Sequence, residues 1–277
     1  MTKKLLIFFL CNCIFIGFSF GHGDLHKRIV KVTKEIKATP DSVYLYLKRG
    51  KLYYQHESYQ KSINDLKKSK NLGYNSVEQK LLLAKAYFKL EEYEISLSYS
   101  GDILYDDPEN VHAHKIKAQT FLKQGNFCDS AHSFEDVINY ASQSFPQNYI
   151  DASIAWELLN IDEGNLRANS IIEKGIENLG HLISLYNRLI ELSIKQENYE
   201  FAITKQYRVI NLSSRKEAAY YKLSELYMLN NNSKKALENL NLAKQHYNTL
   251  PIRLQNTSFM KELIKNIKSK QAQLQNN

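Results

Sequence analysis

The residue pattern of Val43 to Leu72 returns 34 positions later and then 34 positions later again, which restricts the chain to folds built from one small repeated unit. Gly50, Ala84 and Ala118 form one column of small residues, and Ser62, Ser96 and Ser130 form another. Tyr53, Tyr87 and Phe121 form an aromatic column, and so do Tyr59, Tyr93 and Phe127. Within each unit an apolar-periodic segment of about 14 residues meets a polar break, at Glu57-Ser58, Glu91-Glu92 or Gly125-Asn126, and a second such segment follows. That is a helix, a tight turn and an antiparallel helix. Two short helices that cross closely need small side chains at the crossing, and the two small columns supply one from each partner. Gly50 supports this, because glycine inside a helix costs roughly 0.5–1 kcal/mol against alanine and close backbone approach is the reason to tolerate it. The aromatic columns are expected to fill the wedge between one hairpin and the next. A single hairpin cannot cover its own apolar face, so the units must stack.

These columns resemble the tetratricopeptide repeat, whose signature sets aromatic and small residues at fixed offsets in a 34-residue unit. Tyr46, Gly50, Tyr53, Tyr59, Ser62 and Leu66 fit it in the first unit, Tyr87, Tyr93, Ser96 and Pro108 in the second, and Ala118, Phe121, Phe127, Ser130 and Phe134 in the third. Lys80 and His114 depart from it at the first aromatic position, and serine stands where the family usually has alanine. The resemblance implies an all-α fold, a right-handed solenoid of stacked antiparallel helix pairs, used to bind other proteins.

Read along the chain, the sequence suggests one elongated helical domain over residues 42–249, with repeats at about 43–74, 77–108, 111–142, 183–214 and 217–247 and a degenerate one at about 150–180. The register slips by five residues across Ala141 to Asn148, which puts Glu157 and Asn169 at the small positions of the fourth unit and makes Gly164-Asn165 its turn. Leu25, Ile29, Val32 and Ile36 recur at helical spacing before Pro40, a capping helix over residues 22–41. Residues 250–277 read as a second capping helix with a frayed tail.

Lys3 and Lys4 precede a largely apolar run from Leu5 to Phe20. Its length and flanks read as a secretory signal peptide over residues 1–21, cleaved after Gly21, in preference to an uncleaved anchor or a lipid-bearing Cys13. With this leader, the Lys-, Asn- and Ile-rich composition points to a bacterial periplasm or the exterior. Only Cys128 then remains, so no internal disulfide forms and this cysteine reads as small and partly buried. The formal charge of +8 includes the two leader lysines, much of the rest falls after Pro251, and the basic residues elsewhere look dispersed among acids. That dispersion, with export, argues against nucleic acid as a partner, and no membrane contact is expected once the leader is gone.

First helices line the groove of such an array. At the second, fifth, ninth, twelfth and thirteenth positions stand Tyr44, Leu47, Lys51, Tyr54 and Gln55, then Glu78, Leu81, Lys85, Phe88 and Lys89, then His112, Lys115, Gln119, Leu122 and Lys123. Lys51, Lys85, Lys89, Lys115 and Lys123 are expected to receive an acidic segment of an extended partner, with Gln119 beside them and Tyr54 and Phe88 packing its apolar groups. Asp151, Ile154, Asp162, Asn187, Glu191, Lys195, Tyr221 and Glu225 would make the later half more acidic. The alternative is a structural subunit or homo-oligomer that uses the opposite face and the end helix. Phosphate loops, nucleophile elbows and metal-ligand motifs do not occur in the sequence, and His112 and His114 stand on different sides of a helix. No enzyme activity, metal or cofactor is expected.

Overall fold

The computed structural model describes residues 19–275, with side chains from residue 23 onward. The leader expected over residues 1–21 lies outside this range except for residues 19–21, whose backbone opens α1 (Ser19–Ala38). Among the described residues all secondary structure is helical. Hairpins follow α1 in order: α2 (Val43–Gln55) with α3 (Tyr59–Asn71), α4 (Val77–Lys89) with α5 (Tyr93–Asp106), and α6 (Val111–Gln124) with α7 (Phe127–Tyr140). Next come α8 (Pro146–Glu157) with α9 (Asp162–Leu179), α10 (Ile183–Lys195) with α11 (Tyr199–Leu212), and α12 (Glu217–Leu229) with α13 (Ser233–Asn248). A single-turn α14 (Ile252–Gln255) and the long α15 (Ser258–Gln275) complete the order.

The helices form two compact units, α1–α5 and α6–α15, where the sequence suggests one continuous domain. The 34-residue interval from Val77 to Val111 runs through the division, so the period carries no mark of it. In the first unit Leu47, Ile63, Leu66, Leu83, Ala86 and Tyr87 make one core, while Ile29, Val32 and Ile36 bury the inner face of α1 on Leu52 of α2. In the second, a core around Phe134, Tyr149, Trp156, Ile172 and Leu189 is followed by one around Ile190, Val209, Leu223 and Tyr227. Met260, Leu263 and Ile267 of α15 then cover Leu240 and Ala243 of α13.

The small columns meet as the spacing requires. Ser62 donates its hydroxyl to the Gly50 carbonyl at 2.7 Å, and Ser96 to Ala84 and Ser130 to Ala118 at 2.9 Å each, all fully buried. Serine therefore stands in place of alanine because the crossing offers its hydroxyl a partner. A Cβ added at Gly50 would come within 3.0 Å of Leu66, which accounts for glycine there. The second aromatic column packs differently from the expected wedge. Tyr59 and Tyr93 lie against Tyr54 and Phe88 of their own hairpins, with centroids 5.5 and 6.0 Å apart. The departures at the first aromatic position are matched by the last turn of the same hairpin. Lys80 binds Asp106 at 3.1 Å, and His114 stacks on Tyr140 at 5.4 Å, just as Tyr220 stacks on His246 at 5.2 Å.

Each turn between paired helices contains one residue with positive φ: Glu57, Glu91, Gly125, Asn160, Glu197 and Asn231. In all but the fourth, the next amide reaches back five residues, as Ser58 does to the Tyr53 carbonyl at 2.9 Å, which closes the helix end. Only one of these positions is glycine, and a glutamate there bears a left-handed backbone that glycine adopts freely. Glu57→Gly, Glu91→Gly and Glu197→Gly are each expected to raise stability by about 0.5–1 kcal/mol in urea unfolding, less any entropy returned to the unfolded chain.

The fourth hairpin corrects the sequence reading. Its turn residue is Asn160, with φ 52°, so Ser153 and not Glu157 occupies the small position, and Gly164 lies buried inside α9 instead of in the turn. A Cβ at Gly164 would sit 2.5 Å from the Trp156 carbonyl, so α9 begins closer to α8 than any other residue allows. The first helices start at Val111, Pro146 and Ile183, so the slip is one residue before α8 and three more within the 18-residue α9. Cys128, expected to be partly buried, is exposed near the start of α7.

Candidate partner-binding face

The ninth, twelfth and thirteenth positions of a 13- or 14-residue helix share one side, and the aromatic at position twelve is fixed by its ring contact with the second helix. In the first unit this places Lys51 and Tyr54 on α2 and Lys85, Phe88 and Lys89 on α4. Tyr54 is half-buried, and burial together with neighbouring Tyr59 pushes its phenol pKa up. Phe88 is likewise half-buried against Tyr93. Lys51 is not free: its ammonium binds Glu78 of α4 at 2.7 Å. Lys85 and Lys89 carry no ion pair among the described residues. Leu47, placed in the groove by its register, is buried in the core.

In the second unit Lys115, Gln119 and Lys123 follow one another by single turns of α6, so they share a side, with Lys123 the most exposed. The acidic character expected of the later helices is largely neutralised from within. Glu157 of α8 accepts hydrogen bonds from Arg188 at 2.6 Å and from Lys195, both on α10. Burial alone would raise the Glu157 carboxyl, but the hydrogen bonds from Lys195 and Arg188 outweigh it and hold the group below the usual carboxylate range. Arg188 also donates to Ser153 at 3.1 Å and lies 3.7 Å from Glu191. Asp162 opens α9 and so belongs to a second helix. Glu225 of α12 is bound by Lys270 of α15 at 2.7 Å. Around that pair lies a depression of about 470 Å³ lined by Ile194, Lys222, Glu225, Leu226, Met228, Leu229 and Lys270. Met228 and Leu229 occupy the twelfth and thirteenth positions of α12, so the period could have found them. Lys270 could not be found that way, because α15 is outside the repeat.

Among solved structures the chain is similar to the C-terminal part of a TPR repeat-containing protein from Cytophaga hutchinsonii, with a TM-score of 0.67 and 15% identity over 84% of this chain and 94% of that one. It is also similar to a tetratricopeptide repeat protein from Parabacteroides merdae, with a TM-score of 0.55 and 15% identity over 90% of this chain and 94% of that one. The chain has the tetratricopeptide-repeat fold. MamA from Desulfovibrio magneticus RS-1 is similar over 61% of this chain and 94% of its own described length, at a TM-score of 0.52 and 17% identity. No protein-family model matches the sequence, and no curated protein is similar to it in sequence.

On α4 of the first unit, Lys85 and Lys89 flank Phe88 without an ion pair among the described residues; in the second unit α6 carries Lys115 and Lys123, and an apolar depression lies beside α12. Among the described residues no group of three or more His, Cys, Asp or Glu side chains is placed to hold a metal ion.

Proposed function

We propose that the protein is a non-enzymatic adaptor of the bacterial cell envelope, exported by its leader, which holds an extended protein segment along its first helices. The segment carries acidic residues that meet Lys85 and Lys89 of the first unit, where Phe88 and Tyr54 pack its apolar groups. The observation that carries this reading is that Lys85 and Lys89 flank a half-exposed ring with no acid of their own, while neighbouring Lys51 is already satisfied by Glu78. An unpaired cationic pair beside an aromatic supplies both charge complementarity and an apolar anchor. Lys51 then acts as the brace between α2 and α4, with less to offer a partner.

The test is recovery of partners by the tagged full chain from its own host. Lys85→Glu with Lys89→Glu is expected to leave helical circular dichroism intact and to lower partner recovery by roughly tenfold or more. Unchanged recovery would refute the assignment. A second reading, a subunit that associates through its own surface, is favoured by the exposed Leu158, Ile161 and Leu166 around the α8–α9 turn, the last 70% exposed. Sedimentation separates the two, since the adaptor is a monomer when purified and the subunit is not.

A further inference from the structure

Residues 19–73 hold twelve Lys and Arg against five Asp and Glu, a surplus of seven, while the whole chain has a formal charge of +8. Lys3 and Lys4 add two more, so everything after residue 73 sums to minus one. The positive charge is thus gathered on α1 to α3, with a surplus of seven, and after Pro251, with a surplus of four, while the residues between sum to minus five. Ile29, Val32 and Ile36 turn one side of α1 into the core, and Lys27, Lys31 and Lys34 recur at intervals of four and three along the opposite side. All three are exposed, and so is Arg28. On α3, Lys68 stands exposed opposite buried Ser62, Leu66 and Ser69, while the Lys67 ammonium lies over the Tyr87 ring of α4 at 5.4 Å. Arg49 of α2 ties the two helices together, donating to Asp65 of α3 at 2.7 and 2.8 Å and to Thr33 of α1 at 3.2 Å. Of the acids near the face, Asp65 is turned to Arg49 and Glu35 to Lys48, while exposed Asp24 stands one turn before Lys27 and Arg28.

We propose that the outer face of α1 and α3 is an electrostatic docking surface for an anionic phospholipid headgroup layer. Charge complementarity and position select this partner. The uncharged, mostly apolar residues 5–18 directly precede α1 in the sequence, so a chain whose leader engages a bilayer delivers Lys27, Lys31 and Lys34 to the headgroups. Stable attachment commonly needs two signals, and an apolar segment followed by a polybasic patch supplies both. The face keeps its charge when the leader is removed after Gly21, and then gives a weaker, salt-sensitive attraction to the same surface.

The test is partition of the full chain onto vesicles of phosphatidylcholine with about 30 mole per cent phosphatidylglycerol, against pure phosphatidylcholine, which sets the baseline owed to the leader. The anionic vesicles are expected to bind the protein far better at low salt, with most of the difference gone at about 0.5 M salt. Lys27→Glu, Lys31→Glu and Lys34→Glu together should lower the anionic-over-neutral ratio on the order of a hundredfold, and the matching Gln variant about tenfold, each with unchanged helical circular dichroism. The same reversal at Lys261, Lys265 and Lys268 of α15 makes an equal change in net charge and should move the ratio by less than about threefold. Four results would overturn the proposal: equal binding to both vesicles, an unchanged ratio in the α1 variants, an equal loss in the α15 variant, or capture of duplex DNA with no preference between vesicles.

Discussion

Glu157→Ala will destabilise the protein by about 3–5 kcal/mol, toward the lower figure because Glu191 stays near Arg188. The Arg188 side chain is only 6% exposed, and once Glu157 is gone its guanidinium keeps the Ser153 hydroxyl and a carboxylate that is itself mostly in water. A buried cation without its partner is the costly state; the pair itself is not a large source of stability. Arg188→Met combined with Glu157→Leu should therefore return to within about 1 kcal/mol of the parent, although each single change harms it. Lys195→Met should cost under about 1 kcal/mol, since that ammonium is largely in solvent. The sign with pH follows from the carboxyl. Its pKa in the folded chain is lowered, so its contribution is complete above the ordinary carboxylate range and is lost as the pH falls through the folded value. The gap between parent and Glu157→Ala in urea unfolding should shrink under acid. A gap independent of pH would contradict the pairing.

The helical hairpins were legible because their contacts are local in sequence. Gly50 meets Ser62 twelve residues on, through a turn of fixed length, so both columns recur together. The fourth hairpin was not legible, because its defining features are a close approach of Gly164 to a backbone carbonyl and extra residues absorbed inside α9, neither of which alters the apolar period. Glu157 looked like an intruder at a small position. Its partners stand 31 and 38 residues later on α10, on either side of the 34-residue interval that the columns compare, so no column pairs them with it. Lys80 and His114 looked like defects for a similar reason: each finds Asp106 or Tyr140 in the last turn of its own hairpin, a pairing that a column of single positions hides. These exchanges, with intervals that lengthen around α8 and α9, also fit the failure of any family model to match. Of the candidate binding residues, Lys85, Phe88 and Lys89 lie on α4 and Lys51 on α2; the capture of Lys51 by Glu78 depends on the spacing of two helices, which the sequence does not state.

The second large effect concerns the crossings themselves. Ala84 is fully buried, and its carbonyl receives the Ser96 hydroxyl at 2.9 Å, so its Cβ faces the second helix at the closest point of the pair. Ala84→Leu forces three further carbons into that contact and should cost about 1–3 kcal/mol, or more if α4 and α5 separate. Gly101 supplies the contrast on α5. It is exposed, and a Cβ built there meets nothing within 4 Å. Gly101→Leu adds more bulk than Ala84→Leu does, yet should leave stability unchanged or raise it by up to about 1 kcal/mol through helix propensity.

Urea unfolding of Ala84→Leu beside Gly101→Leu, followed by circular dichroism, asks directly whether the repeated small residues are points of helix contact. A clear loss for the first and none for the second is the result this structure requires. Equal midpoints for the two variants, or a loss confined to Gly101→Leu, would mean that the columns do not mark where the helices touch.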